Sequence, residues 1–134
     1  MKRTARRLLA LALSVAAALP PGPAAAARLA VPILVGGDDY DACPSLGMVR
    51  GLKASGDGFL AVRAGPGTRH AMLDKLHNGD LVFICDERAG WYGVVYERGG
   101  RECNVSRPWP RRDEYTGPCP AGWVHGRWVE VVAG

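Results

Sequence analysis

Along the chain, apolar positions fall into short runs rather than long stripes. "LGMVRGLK" (46–53) and "GFLAVRAG" (58–65) are β-prone runs separated by "ASGDG", whose glycines and aspartate favour a turn, so the pattern predicts a hairpin. "TRHAMLDKLHNGD" (68–80) holds enough helix formers for a turn or two of helix and stops at Asn78-Gly79, a strong turn signal. "DLVFICDE" (80–87) and "GWYGVVYE" (90–97) are β-branched and aromatic runs joined by the tight connection "RAG". "GWVHGRWVEVV" (122–132) predicts two further short strands with a sharp bend at Gly126. Ahead of these runs, "ARLAVPILVGGDDYDAC" is apolar and then acidic. It is expected to form an arm over residues 28–45 that becomes ordered near Cys43. Residues 98–121, "RGGRECNVSRPWPRRDEYTGPCPA", are rich in Gly, Pro and Arg, show neither strand nor helix period, and predict a long inserted loop. Short strands with turns every 8 to 12 residues and no sustained helical period point to an all-β fold. The expectation is one small barrel or sandwich of five or six short strands over residues 46–134.

The first 27 residues follow a different pattern. A basic start, "MKRTARR", leads into an apolar run from Leu8 to Leu19 and then "PPGPAAAA", where Ala25 and Ala27 fit a small-residue cleavage site. Residues 1–27 therefore read as a signal peptide cut before Arg28, and the mature chain is expected to be secreted or periplasmic. The apolar run is far shorter than the roughly 20 residues of a spanning helix, so the mature chain is not expected to cross a membrane. Without Lys2, Arg3, Arg6 and Arg7 the 17 Lys and Arg fall level with the 13 Asp and Glu, and the formal net charge of +4 disappears. A nucleic-acid binder ordinarily carries a basic excess or stripe, so nucleic acid is not an expected partner. What remains suits a single domain, expected to be a monomer.

Four cysteines in an export-destined chain predict two disulfides. Three pairings are possible. Cys103 with Cys119 closes a local loop at the base of the insertion, and Cys43 with Cys85 ties the arm to a central strand, so these two are favoured.

Several chemistries can then be weighed. "FLAVRAGPGTRH" (59–70) runs from a strand into a glycine loop, as phosphate sites do. However, Pro66 removes a central N–H donor and no Gly-Lys-Ser/Thr follows, so a structural turn is expected. A Cys–His nucleophile using His70, His77 or His125 needs a free thiol, which an even cysteine count in an oxidising compartment does not leave. No Cys-x2-Cys or His-x3-His spacing occurs, and "DDYD" (Asp38, Asp39, Asp41) lacks the alternating ligands and closing glutamate of a calcium loop. No metal or other cofactor is expected. Asn104-Val105-Ser106 matches a glycosylation sequon, a pattern frequent by chance. What is left is aromatic and basic surface. Trp91, Tyr92, Trp109, Tyr115, Trp123 and Trp128 are many large rings for this length, and most are expected to pack the fold. Trp109 stands apart between Pro108 and Pro110, in a stretch from Arg98 to Arg112 with five arginines and one glutamate, which suits an anionic or acidic partner.

"FLAVRAGPGT", "KLHNGDLVFIC", "GWYGVVY" and "GWVHGRWVEVV" resemble, in order and spacing, the bacterial Src homology 3-like (SH3b) domain over about residues 57 to 134. The resemblance implies a small, strongly bent SH3-like β-barrel and a non-catalytic module of the cell envelope, not an enzyme. It departs from the simple pattern in its disulfide-closed insertion. The expected function is an exported binding or adaptor module recognising a peptidoglycan peptide or an envelope protein. A secreted inhibitor or structural interaction protein is the alternative, with a Cys-dependent cell-wall hydrolase behind it. Exposed rings supply area and arginines orientation at interfaces, so the candidate ligand-binding residues are Trp91, Tyr92, Trp109, Arg111 and Arg112.

Overall fold

In the computed structural model, residues 10–20, 29–53, 55 and 58–134 are described. The cleavage site expected at Ala25–Ala27 and most of the "ASGDG" turn lie outside them. Residues 10–20 are exposed and carry no regular structure. Nine strands follow: β1 (Leu34–Val35), β2 (Ser45–Val49), β3 (Leu60–Arg63), β4 (Met72–Leu76), β5 (Leu81–Arg88), β6 (Trp91–Val95), β7 (Asp113–Glu114), β8 (Ala121–His125) and β9 (Val129–Ala133). A single 3-10 turn, Gly126–Trp128, separates β8 from β9, and no α-helix occurs among the described residues. The fold is all-β, as expected.

Seven strands form one antiparallel sheet in the order β4-β3-β8-β6-β5-β2-β9, and β1 with β7 forms a second. The expected small barrel of five or six strands is found as an open sheet of seven: among the described residues β4 and β9 are its edges, with no pairing between them. The sheet curls instead around a core to which all seven strands or their immediate flanks contribute: Val49, Leu60, Val62, Leu76, Val82, Val94, Tyr96, Val124 and Val129. Each such fully buried apolar side chain contributes about 1.5–3 kcal/mol relative to exposure, and shared burial holds the curl without a closing ladder.

The central hairpin matches its expectation. Ala89 (φ 49°) and Gly90 (φ 83°) both lie in the left-handed region, and Arg88 pairs with Trp91, so a two-residue turn links β5 to β6. Two other expectations are corrected. "LGMVRGLK" does not form a hairpin with β3, because β2 lies between β5 and β9. Gly47 permits that placement, since a Cβ there would press on Val129 and Ile84 from the two flanking strands. After β2 the chain is tied to the Asn78-Gly79 turn, through Gly79 N–H to the Val49 carbonyl (2.8 Å) and Leu52 N–H to Asn78 Oδ1 (3.0 Å). The second correction concerns Met72–Leu76, a strand and not a helical turn. Its helix formers lose to the β3 ladder and to burial of Leu76.

The arm and the insertion cover the opposite face of the sheet. Order in the arm begins well before Cys43: Val31 N–H reaches the Ala64 carbonyl (2.7 Å), and Ile33, Val35 and Ala42 are buried. Inside the insertion, expected to be free of strands, Asp113 and Glu114 pair with Val35 and Leu34. Further backbone bonds join Ala42 to Arg107, Cys43 to Val105 and Tyr115 to Ile33. Both disulfides pair as favoured, Cys43–Cys85 and Cys103–Cys119. The second core contains Ile33, Val35, Val95, Val105, Tyr115 and Trp123. Strand alternation separates the cores: Val95 and Trp123 face the cover, while their neighbours Val94 and Val124 face the curl.

Candidate functional site

The covered face continues past the edge of its cover. Trp91 pairs across strands with His125 and Gly93 with Trp123, so alternation puts Trp91 and His125 on the same face as the buried Trp123. Trp123 has no exposure, and its indole N–H donates to the Val31 carbonyl at 2.9 Å. Beyond it neither arm nor insertion reaches, and the face opens into a groove of about 350 Å³ lined by Phe59, Leu60, Ala61, Arg63, Thr68, Trp91, His125 and Trp128.

Each wall has a local cause. Trp91 meets the His125 ring edge-on, with centroids 5.2 Å apart. His125 Nδ1 accepts from Arg127 N–H at 3.2 Å, which starts the 3-10 turn and leaves Nε2 as the protonated, donating nitrogen. That turn needs Gly126, because a Cβ would meet the Gly90 carbonyl at 2.9 Å and the Tyr92 ring at 3.1 Å. It swings Trp128 back against the curled core, where the ring closes one end of the groove. The remaining wall is the stretch "FLAVRAGPGTRH". Val62 is fully buried, Arg63 faces out, and the loop folds on itself through His70 N–H to the Gly67 carbonyl (3.2 Å). Arg63 Nη1 donates to the His70 carbonyl at 3.0 Å, fixing the guanidinium along the rim. Gly65 accommodates the His70 imidazole, which a Cβ there would overlap. The loop acts as a structural turn that supplies a wall.

Cations border the rings. Lys75 Nζ stands 4.4 Å from the Phe59 ring centroid, and the Arg127 guanidinium 5.1 Å from that of Trp128.

The five residues singled out from sequence are not brought together. Trp91 lines the groove. Tyr92, one residue on, points to the other face and packs on the curled core. Trp109 belongs to the insertion: its indole N–H donates to the Asn104 carbonyl (2.8 Å), and its ring stacks on Tyr115 (6.1 Å between centroids). With Pro110, Arg111 and Asp113 it borders a separate depression of about 360 Å³. Arg112, half exposed, reaches the Asp86 carboxylate at 3.4 Å. The local excess of arginines is compensated in part, with Arg98 on Asp74, Arg107 on Glu102 and Arg112 on Asp86. Sequence reasoning missed Phe59, Arg63, His125 and Trp128 as companions of Trp91. The available signal was strand parity, which puts Phe59 and Arg63 on one face of β3.

Titratable groups with displaced values lie elsewhere. Burial pushes the Tyr96 hydroxyl up, aided by its hydrogen bond to Asp74 at 2.8 Å. For Asp74 partial burial acts upward, but the Lys75 N–H, Arg98 and Tyr96 together hold the carboxyl below its ordinary value. Tyr115, raised by burial, donates to the Cys103 carbonyl at 2.8 Å and pins the insertion. The sequon is built into that insertion: Val105 is fully buried and Asn104 Oδ1 is enclosed without a partner. All four cysteines are consumed in disulfides, bonds characteristic of an extracellular or periplasmic compartment. Among the described residues no helix is long and apolar enough to cross a membrane.

Set against protein-family models, curated proteins and solved structures, the chain matches none of them.

Proposed function

We propose that this chain is an exported, non-catalytic binding module of SH3b type whose open groove recognises a cell-wall peptide or an envelope protein. The observation that carries this reading is the groove itself: three half-buried aromatic rings and an imidazole gathered where the cover of arm and insertion ends. Rings of this kind bind extended chain by area, while flanking N–H donors orient it. The four ordered motifs that resemble SH3b domains place their first, third and fourth members around this groove. The depression at Trp109, Pro110, Arg111 and Asp113 favours a second reading, in which the stapled insertion is the protein-binding finger of a secreted inhibitor or structural protein. A cysteine-dependent hydrolase would require one disulfide to open.

The four tryptophans make the test specific, because two line the groove, one is in the insertion and one is buried. The folded, oxidised protein is mixed with purified cell-wall sacculi, and bound fractions are measured by co-sedimentation. Soluble wall fragments are then titrated while the four indole N–H resonances are followed. The groove reading expects pelleting and shifts at Trp91 and Trp128 with Trp109 and Trp123 still. Shifts confined to Trp109 favour the finger, and protein that stays in the supernatant at every salt concentration ends the wall-binding form.

A further inference from the structure

We infer that the groove selects a short peptide presenting a free carboxylate, a deepening that rests on the groove being the binding site. Three cations border it: Arg63 in its lining, Lys75 over Phe59 and Arg127 over Trp128. Among the described residues no carboxylate lines it and none forms an ion pair with these three. Arg50, Arg88, Arg98, Arg107 and Arg112 each find an acid on this same chain, whereas the groove gathers three cations around its rings without one.

Arg63 is held for the task. One nitrogen is committed to the His70 carbonyl, which fixes the plane of the guanidinium and leaves its other N–H groups for an acceptor. A planar fork matches a carboxylate in two parallel hydrogen bonds. In the same lining His125, whose Nδ1 is engaged by Arg127 N–H, offers its Nε2–H, and the aromatic floor takes the apolar part of the ligand. Its volume of about 350 Å³, near the lower end of small-ligand pockets, has room for a short stretch of chain. The ligand is thus a peptide of a few residues with an apolar part on the rings and a carboxylate placed at Arg63.

The test compares N-acetyl-trialanine with its C-terminal amide at pH 7, titrated into the oxidised protein at low and high salt, with the Trp91 and Trp128 indole signals as readout. The acid is expected to bind about tenfold tighter than the amide, as a charge-assisted hydrogen bond at a partly open site allows. Salt should shrink that ratio. Arg63→Gln should reduce it to near one while the dispersion of the spectrum reports an intact fold. Lys75→Gln, which leaves the His70 tie untouched, should reduce it in part. Equal binding of acid and amide overturns the carboxylate inference and leaves the groove standing. Absence of any shift at Trp91 and Trp128 with either peptide overturns both. A preference for the acid that survives in the Arg63→Gln/Lys75→Gln double variant overturns the assignment to these cations.

Discussion

Removing the Asp86 side chain should release the arm, and the geometry says which of its bonds matters. Asp86 is a nearly enclosed carboxylate, with a side chain 7% exposed, on the face covered by the arm. Its Oδ2 accepts from Leu34 N–H at 3.2 Å, its Oδ1 lies 3.4 Å from Arg112, and Arg88 stands at 4.0 Å. Both arginines are about half exposed, so each regains water when the carboxylate goes. An ion pair of that kind is worth roughly 0.2–1 kcal/mol. The Leu34 amide has no such recourse, because β1 is pressed onto the sheet. An amide left unsatisfied there costs about 1–3 kcal/mol. Asp86→Ala is therefore expected to lose about 2–3 kcal/mol, and Arg112→Ala under about 1. With a urea slope of about 1–3 kcal/mol per M, the first shifts the unfolding midpoint by roughly 1 M, readable in tryptophan fluorescence. Hydrogen exchange at Leu34 should rise sharply in Asp86→Ala, little in Asp86→Asn, which keeps an acceptor, and least in Arg112→Ala. The reasoning is refuted if Arg112→Ala costs as much as Asp86→Ala, or if exchange at Leu34 stays unchanged when the carboxylate is gone.

Two further outcomes are expected. Asp74 has a lowered folded-state value, so its stabilising contribution is present above the ordinary carboxylate range and is lost as pH falls below about 4. Tyr96 has a raised one, so its contribution holds up to about pH 10 and is lost above that; Asp74→Asn should flatten the acid limb of a stability–pH curve. In the glycine loop, Gly65→Ala should destabilise by about 1–3 kcal/mol, as overpacking does, because its methyl overlaps the His70 ring. Gly65→Ala/His70→Ala should recover most of that in thermal denaturation, and an equal loss in the double variant would refute the overlap.

Local chemistry made part of this molecule legible. The Ala89-Gly90 turn, the Gly65-Pro66-Gly67 loop and the cystine pairs follow from residues close in sequence or from simple loop closure. Of the five residues singled out for binding, only Trp91 lies in the groove. Its companions Phe59, His125 and Trp128 come from three other segments, and the sheet order that collects them depends on which strand outcompetes which for an edge. β2 illustrates this: a turn signal after it suggested β3 as partner, yet it lies between β5 and β9, where Gly47 leaves room for Val129 and Ile84. The arm hid for a related reason. β1 and β7 have two residues each, too few to show a period, and they are strands only because each is the other's partner.

The bond from the Trp123 indole to the Val31 carbonyl joins residues 92 positions apart. Val31 lies just ahead of β1, and its anchor lies on the last strand but one. Contacts of such span close late, since their loop entropy must be met before they reward the chain. A polypeptide emerging N-terminus first would thus meet its earlier partners, Ala64, Cys85 and Asp86, before Trp123 and β7 complete the seating of its apolar arm. The cover is therefore finished by the C-terminal strands, and truncation before Trp123 should leave a loosely held, proteolysis-prone leading segment.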